Sequence, residues 1–310
     1  MYIKQAFKIM NDWWLYAISL VIIIVGIVIG SMPHTIALAI KAFQQGGDLD
    51  SLEKNPYELL KLLDTNLNLF LMLLSFAMGL LALFLVVKYI HKQTLTSLTT
   101  SRNSIDWSRV RFAFLVWGAF TVGSIALMYV LEPENYSFNF DPIPFAILVI
   151  VSVIFIPLQT SFEEYFFRGY LMQGIGILAK NRWVPLVLTS TMFGLMHFAN
   201  PEIDKLGQIL LIHYVGVGFL LGIMTLMDEG LELALGFHAA NNLFGALLMT
   251  ADWTAFQTNS ILKDISDPEM GSVELILPLV VIYPLLLVVF SRKYNWTNWR
   301  AKLLGPVTKD

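Results

Sequence analysis

Two adjacent glutamates and an arginine stand in the apolar stretch SFEEYFFRGY, residues 161–170. Glu164 and Arg168 are four residues apart, so on a helix they share a face and can form an ion pair. Glu163 is rotated by about 100° from Glu164 on the helical period and has no such partner. A carboxylate left free in apolar surroundings suits a general base. The alternative is a structural ion pair beside a glutamate that reaches water.

Two later stretches carry polar groups that could complete such a site. In TMFGLMHFAN, residues 191–200, His197 follows Phe193 by one helical turn, and in GFHAANNLFG, residues 236–245, His238 and Asn242 share a face. One histidine could hold water beside the glutamate, while the other histidine and the asparagine could donate hydrogen bonds to an oxyanion. The set predicts hydrolysis of an amide bond by activated water, without a covalent intermediate.

Two other interpretations of these residues stay open, a role in helix packing and a zinc site. Histidine and asparagine also join membrane helices through hydrogen bonds, so either motif alone could serve packing. Two histidines and a glutamate could instead hold zinc, with water in an open position. We expect no cofactor, and zinc is the alternative.

The composition indicates what kind of chain must position these groups. Of 310 residues, 56% are hydrophobic and 14% are charged, which indicates an integral membrane protein. The net charge of −3 and the lack of a basic, aromatic-rich patch argue against a nucleic-acid partner. Because the chain has no cysteine, disulfides, thiolate zinc sites and a cysteine nucleophile are excluded. The long continuous apolar runs favour helices over a β-barrel.

We predict an all-α polytopic membrane protein with about eight transmembrane helices. The predicted spans are Trp13–Met32, Leu67–Ile90, Val110–Leu131, Pro142–Leu178, Trp183–Asn200, Gly207–Met227, Leu231–Thr250 and Ser272–Phe290. The first is too long for a secretory signal and is treated as a retained helix.

The distribution of Lys and Arg predicts that both termini are cytoplasmic. With eight spans, 14 basic residues fall in inside segments and 5 in outside segments. The inside residues are Lys4, Lys8, Lys88, Lys92, Arg102, Arg109, Arg111, Lys180, Arg182, Arg292, Lys293, Arg300, Lys302 and Lys309; the outside ones are Lys41, Lys54, Lys61, Lys205 and Lys263. Breaking the fourth span at Pro157 would place 9 basic residues inside and 10 outside, so the charge bias favours one long helix.

Depth in the membrane links the first two motifs. Glu163 lies 17 residues before Lys180, and His197 lies 15 residues after Arg182. At about 1.5 Å per residue, both side chains are then some 20–25 Å from the same inside loop. Adjacent helices therefore carry them at matching heights.

The chain divides into a single membrane domain, 1–310, with three parts. These are N-terminal helices one to three (1–141) with an outer loop at 32–66, a catalytic core of helices four to seven (142–250), and a last helix with a basic cytoplasmic tail (251–310). Short surface helices are predicted in the outer loop at Thr35–Phe43 and Leu52–Leu63. His213 is expected to be structural. Three acidic residues are expected to be solvated in a loop: Asp228, Glu229 and Glu232.

In this order, the motifs EExxxR, FxxxH and HxxxN resemble those of the CAAX prenyl protease and bacteriocin-processing (CPBP) family of intramembrane glutamic endopeptidases. The resemblance covers about residues 145–250. It implies an eight-helix fold with a water-filled chamber that opens to the cytoplasm and laterally to lipid. Members cleave prenylated CAAX proteins, process peptides, confer bacteriocin immunity or regulate signalling.

The resemblance also implies a role for each motif position. Glu163 and His197 would activate the catalytic water, and His238 and Asn242 would form the oxyanion site. Three residues would support them: Glu164, Arg168 and Phe193. The substrate would be a membrane-associated or lipidated peptide or protein at the lipid bilayer. The HExxH and GxSxG motifs of other proteases are absent.

Three alternatives to this prediction remain. The protease could be zinc-dependent, which chelators would test. The polar groups could line the path of a transporter or proton relay, although the sequence shows no repeated halves. A non-catalytic relative could act as a bacteriocin-immunity or scaffold protein. The predicted location is a bacterial plasma membrane.

Overall fold

The computed structural model describes residues 1–44, 61–267 and 276–309. Its larger helices are α1 (Trp13–Gln44), α2 (Thr65–Tyr89), α3 (Leu95–Thr99), α4 (Trp107–Leu131), α5 (Pro142–Ala179), α6 (Trp183–Leu195), α7 (Pro201–Leu206), α8 (Leu210–Asp228), α9 (Glu232–Leu248), α10 (Tyr283–Tyr294) and α11 (Trp299–Leu304). Three short strands are β1 (Tyr136–Phe138), β2 (Met249–Ala251) and β3 (Leu262–Asp264).

The prediction of an all-α polytopic membrane protein is confirmed. Within the described residues, α1, α2, α4, α5 and α8 are long and apolar enough to cross a membrane. Exposed large apolar side chains cover their outer faces, as lipid contact requires. The other predicted spans correspond to shorter helices, α6, α9 and α10, the last preceded by a π-helical segment at Pro278–Ile282. The count of eight spans and the orientation stay predictions.

The first predicted span ends too early. The helix does not stop at Met32 but runs through Pro33 to Gln44, so the predicted outer helix Thr35–Phe43 is part of α1. A proline inside a helix removes one backbone hydrogen bond, but the extension is held by other contacts, including His34 Nε2 to Asn68 Oδ1 at 2.7 Å. Most of the predicted helix Leu52–Leu63 lies outside the described residues.

The fourth span is one continuous helix, as the charge distribution favoured. Pro157 lies inside it without a break. Its regular part ends at Glu164, and the following Tyr165–Leu171 is π-helical before the α-helix resumes. A π-helical turn changes the direction of the side chains that follow, and such turns are frequent at functional sites.

The helix α9 occupies the centre of the second half of the molecule. It packs between α4 and α5 and also touches α8, which in turn packs on α6. The close contact with α4 depends on Gly236, where a Cβ atom would meet the carbonyl carbon of Val110 at 2.9 Å. Phe237 is buried beside it in the main apolar core. The third motif therefore sits on the most enclosed helix of the site.

The three strands form a small sheet at the end of the bundle where α4 stops and α5 begins. The order is β1-β3-β2, with Tyr136 opposite Asp264 in the antiparallel pair and Met249 beside Leu262 in the parallel pair. This sheet was not predicted from the sequence. The predicted span Leu231–Thr250 accordingly ends as a helix at Leu248 and continues as β2.

The acidic residues between the end of α8 and the start of α9 were predicted to be solvated, and for Asp228 and Glu232 this prediction is wrong. Asp228 is 4% exposed and Glu232 is fully buried. Arg102 bridges them, with Nη2 at 3.0 Å from Asp228 Oδ2 and Nη1 at 3.2 Å from Glu232 Oε2. Glu229 also pairs with Arg182 at 3.3 Å. Buried carboxylates need such partners, and the arginine lies 126 residues away from Asp228, so helical spacing gave no sign of it.

Candidate active site

The predicted ion pair between Glu164 and Arg168 is present and completely buried. Arg168 Nη1 lies 2.9 Å from Glu164 Oε1, and both side chains are 0% exposed. The guanidinium also donates from Nη2 to the carbonyl oxygen of Gly218 at 3.2 Å and lies 4.2 Å from the centre of the Phe193 ring. Gly218 allows this close packing, because a Cβ atom there would lie 2.6 Å from the carbonyl oxygen of Ser190.

Glu164 has a second partner that the sequence analysis missed. Its Oε1 atom accepts a hydrogen bond from His238 Nδ1 at 2.8 Å. A carboxylate only accepts, so the Nδ1 atom carries the hydrogen and the imidazole ring is held in one orientation. The first motif therefore positions the third: the arginine holds the glutamate, and the glutamate holds the histidine.

His238 lies between the two glutamates. Its Nε2 atom, on the opposite side of the ring, is 3.4 Å from Glu163 Oε2. With Nδ1 protonated, a neutral imidazole would present a lone pair to a carboxylate at this position. One additional proton, on either His238 or Glu163, would convert the pair into a donor and an acceptor.

Only one of the two carboxylate oxygens of Glu163 accepts a hydrogen bond from the described residues. Its Oε1 atom accepts a hydrogen bond from Gln159 Nε2 at 2.7 Å. Its Oε2 atom is buried, yet no donor of the described residues makes a hydrogen bond to it. Buried polar atoms are nearly always paired, so an open carboxylate oxygen is a candidate functional atom.

A chain of amides connects Glu163 to the third motif. Asn242 Nδ2 donates to Gln159 Oε1 at 3.0 Å, and Asn241 Nδ2 donates to Asn242 Oδ1 at 3.1 Å. Trp117 Nε1 fixes the far end by donating to Asn241 Oδ1 at 3.0 Å. Each amide is oriented by its neighbour, which preorganises Asn242 as a donor beside the glutamate.

His197 does not lie within its helix, contrary to the prediction. Helix α6 ends at Leu195, and His197 belongs to the turn that follows. Its Nδ1 atom is 2.8 Å from the carbonyl oxygen of Phe193, and its ring stacks on Tyr214 at 4.1 Å with an interplanar angle of 16°. A carbonyl only accepts, so in the neutral form the lone pair of this histidine is on Nε2.

One cavity of about 520 Å³ joins the predicted catalytic residues. Glu163, His197, His238 and Asn242 all line it, together with Phe193. Both His197 and Glu163 line the cavity, and no hydrogen bond between the described residues joins them directly. Glu164 and Arg168 lie behind the wall, as supporting residues would.

The described residues contain no group of three His, Asp or Glu side chains arranged to hold a metal ion. His238 uses Nδ1 for Glu164, and His197 uses Nδ1 for a backbone carbonyl. A zinc ion would have to bind through the two Nε2 atoms and Glu163. The zinc-dependent alternative stays a hypothesis for experiment.

Three cavity residues have contacts that sequence reasoning did not find. Gln159 precedes Glu163 by four residues, so helical spacing could have identified it. Tyr214 and His213 come from α8, where His213 Nε2 lies 3.4 Å from the hydroxyl of Tyr283. His213 was expected to be structural, and the structure places it in the cavity wall. Nothing in the spacing of α8 indicated that it faces α6.

A family model of known proteins matches the region of the chain that contains this site. Residues 142–244 match the family model described as "Rce1-like: Type II CAAX prenyl endopeptidase Rce1-like". The resemblance predicted from the motifs is confirmed. All four predicted catalytic residues fall inside the Rce1-like match, which supports CAAX-type intramembrane protease activity in general terms.

A second comparison extends over more of the chain. An uncharacterized protein of Bacillus subtilis strain 168, YyaK, is 28% identical over 241 residues, covering 77% of this chain and 79% of the relative. No solved structure matches the chain. The similarity to YyaK therefore reaches beyond the Rce1-like region into other membrane helices.

Proposed function

We propose that the protein is an intramembrane endopeptidase of the glutamic type, which hydrolyses a peptide bond of a membrane-associated or lipidated substrate. The observation that carries the proposal is the open Oε2 atom of Glu163 in a cavity shared with His197, His238 and Asn242. The relative in Bacillus subtilis favours a bacterial plasma membrane.

The reaction starts with a water molecule activated by Glu163. The carboxylate takes a proton from the water, which His197 Nε2 helps to orient as a hydrogen-bond acceptor, and the hydroxide attacks the carbonyl carbon of the scissile bond. A positioned general base of this kind contributes roughly 10²–10⁴-fold in rate. Both groups line the same cavity.

The second half of the reaction concerns the oxyanion and the leaving group. His238, when protonated on Nε2, and Asn242 Nδ2 supply hydrogen bonds to the negative oxygen of the tetrahedral intermediate. The C–N bond then breaks, and Glu163 returns the proton to the departing amine. Glu164 stabilises the positive charge of the His238 imidazolium, because its carboxylate accepts the hydrogen bond from Nδ1, on the side of the ring opposite Nε2.

The test compares wild type with Glu163→Gln in cells that carry the gene. We expect wild-type cells to contain protein N- and C-termini that are absent in the variant, measured by sequencing termini of the membrane and secreted proteomes. Glu134→Gln, the same change at an exposed carboxylate, is the matched control and should preserve the termini. Wild-type termini in the Glu163→Gln strain would overturn the assignment.

The metal alternative is tested with purified protein. Purified wild-type protein should cleave an identified substrate equally well before and after treatment with a strong chelator. Loss of cleavage that zinc restores would replace the glutamic mechanism with the zinc-dependent one, while leaving Glu163 essential as a ligand or base.

A further inference from the structure

The two ends of the helical bundle differ in their charged residues. One end, here called the basic end, joins the described segments 1–12, 90–109, 180–182, 228–232 and 291–309. Hydrogen bonds tie these segments together, such as Ser101 N to Glu229 O at 3.0 Å and Arg182 N to Gly305 O at 3.1 Å. The other end, here called the sheet end, contains β1, β2, β3 and α7.

The charges of the two ends are opposite. The basic end holds nearly all of the Lys and Arg that were assigned to inside segments, and its C-terminal helix α11 carries Arg300 and Lys302. The described sheet-end segments and adjoining helix ends hold mostly carboxylates. These are Asp64, Glu132, Glu134, Asp141, Glu202, Asp204, Asp252, Asp264 and Asp267, against Lys41, Lys61, Lys205 and Lys263. By the positive-inside rule, the basic end faces the cytoplasm and the sheet end faces outward.

The cavity extends from the catalytic residues toward the sheet end. The lining residues recur at each turn of α9, at His238, Asn242 and Gly245, and continue at Met249, the first residue of β2. From there the wall continues into the loop after β2, which includes Ala255. No described residue of the basic end lines the cavity.

The side toward the basic end is closed by the supporting residues. Glu164 and Arg168 are 0% exposed, and Phe193 is 2% exposed, so no water-filled path passes between them. Leu233 and Ala234 fill the first turn of α9 on that side and are fully buried. The ion pair therefore forms the floor of the cavity as well as the support of His238.

From these observations we infer that the catalytic cavity is entered from the outer face of the membrane. The inference rests on the proposed function and narrows its substrates to segments on the outer side, as in secreted or surface-anchored proteins. A prenylated C-terminus in the cytoplasm lies on the opposite side of the closed floor. The arrangement differs from the chamber open to the cytoplasm that the family resemblance implies.

The absence of cysteine makes a direct test simple, since single-cysteine variants need no prior substitutions. Ala255→Cys places a thiol at the cavity mouth, and Asp252→Cys places one in the same loop, where the carboxylate is 69% exposed. Ser104→Cys places one at an exposed position of the basic end. Each is treated with a membrane-impermeant sulfonated maleimide, first on spheroplasts and then on inverted membrane vesicles.

We expect the thiols at 252 and 255 to be labelled in spheroplasts and the thiol at 104 only in inverted vesicles. The opposite pattern would overturn the inference. Position 252 decides the outcome if the thiol at 255 proves too enclosed to react, and denatured protein gives the maximum labelling for each variant.

The termini that depend on Glu163 provide the second arm. If they lie in secreted or outward-facing segments, the substrate class is supported, and if they lie in cytoplasmic segments, the inference fails while the protease assignment stands. Absence of any such termini would instead overturn the proposed function and leave the sidedness, which labelling measures independently, unaffected.

Discussion

The molecule contains two clusters of buried charge that use the same residue types in different ways. In the basic-end network, defined by Arg102, Arg109, Asp228 and Glu232, every carboxylate oxygen has a donor. Asp228 Oδ1 receives Arg109 and the indole of Trp296, and Oδ2 receives Arg102. Glu232 receives Arg102 on both oxygens.

The site cluster, defined by Gln159, Glu163, Glu164, Arg168 and His238, is incomplete. The Oε2 atoms of both glutamates are buried without a hydrogen bond from the described residues. Unpaired buried polar atoms are costly and persist where they have a use. The two clusters therefore differ in whether their carboxylate oxygens are satisfied: the basic-end network leaves none without a donor, whereas the site cluster leaves two, and Glu163, which carries one of them, lines the cavity.

The largest expected effect is the loss of folding stability when the site cluster loses its only arginine. Arg168→Met leaves Glu164 at 0% exposure with only His238 as a partner, and breaking a buried pair in this way costs about 3–5 kcal/mol. We expect little folded protein, measured by size-exclusion chromatography in detergent after graded heating. Arg300→Met, at an exposed position, is the matched control.

A double variant separates stability from chemistry. Glu164→Leu combined with Arg168→Met removes both charges and should recover much of the lost stability. It should remain inactive because His238 has lost the acceptor of Nδ1. Full activity in this double variant would show that the pair is structural only, like the basic-end network.

The second prediction compares a substitution in the site cluster with a substitution in the basic-end network, by their effects on turnover and on thermal stability. His238→Gln should lower the turnover of an identified substrate by about 10²-fold or more, as loss of an oxyanion donor does, with little change in thermal stability. Asp228→Asn should lower thermal stability, because Arg102 and Arg109 lose their charged partner, while the folded fraction keeps its turnover. The same pattern of loss in both variants would contradict the comparison.

Whether a contact of the site could be predicted depends on how far apart its two residues lie in the sequence. The Glu164–Arg168 pair follows from a spacing of four on one helix, and the structure contains it. The bond from His238 to Glu164 spans 74 residues, so no local pattern could give it. The residue types, the matching depth of Glu163 and His197 and the order of the motifs brought these two residues and His238 into one hypothesis, and all three line the cavity.

The errors have physical causes as well. The end of α1 was placed at Met32, and the tertiary contact from His34 to Asn68, which helps to hold the helix beyond Pro33, was invisible in the sequence. Asp228 and Glu232 were predicted to be solvated because they adjoin a loop. Their partners come from the loop before α4, and only the folded chain brings them together.

A smaller effect is expected from the residue that holds Glu163. Gln159→Leu removes the bond to Glu163 Oε1 and the acceptor of Asn242. A net hydrogen bond contributes about 0.5–1.5 kcal/mol, which corresponds to a decrease of roughly tenfold or less in kcat for each bond. We expect kcat to fall, KM to stay near its original value and the pH–rate profile to shift, since Gln159 acts as a positioning residue.

Gln159→Asn provides the conservative comparison for that profile. It keeps an amide but shortens the reach to Glu163, so it should recover part of kcat if the hydrogen bond matters. A pH–rate profile that is identical in wild type and Gln159→Leu would assign Gln159 to packing alone.

The smallest effect concerns His91, a fully buried histidine just beyond α2 whose contacts are complete, as in the basic-end network. Its Nδ1 atom donates to the carbonyl oxygen of Met10 at 2.7 Å, and Nε2 accepts from the hydroxyl of Tyr170 at 2.8 Å. Burial lowers the pKa of His91 from its usual 6.5, and the bond to Met10 offsets this only in part. The neutral ring is therefore the form that fits the fold.

The sign of the pH dependence follows from that shift. As the pH falls through about 6.5, the unfolded chain binds a proton that the folded chain does not, so the free energy of unfolding decreases toward low pH. Melting temperatures of wild type and His91→Gln, measured in detergent from pH 8 to 5, should diverge less at low pH. Turnover per folded molecule should show no step from His91. Such a step would mean that a buried group with complete hydrogen bonds also influences the chemistry, and the distinction between open and satisfied clusters would need another basis.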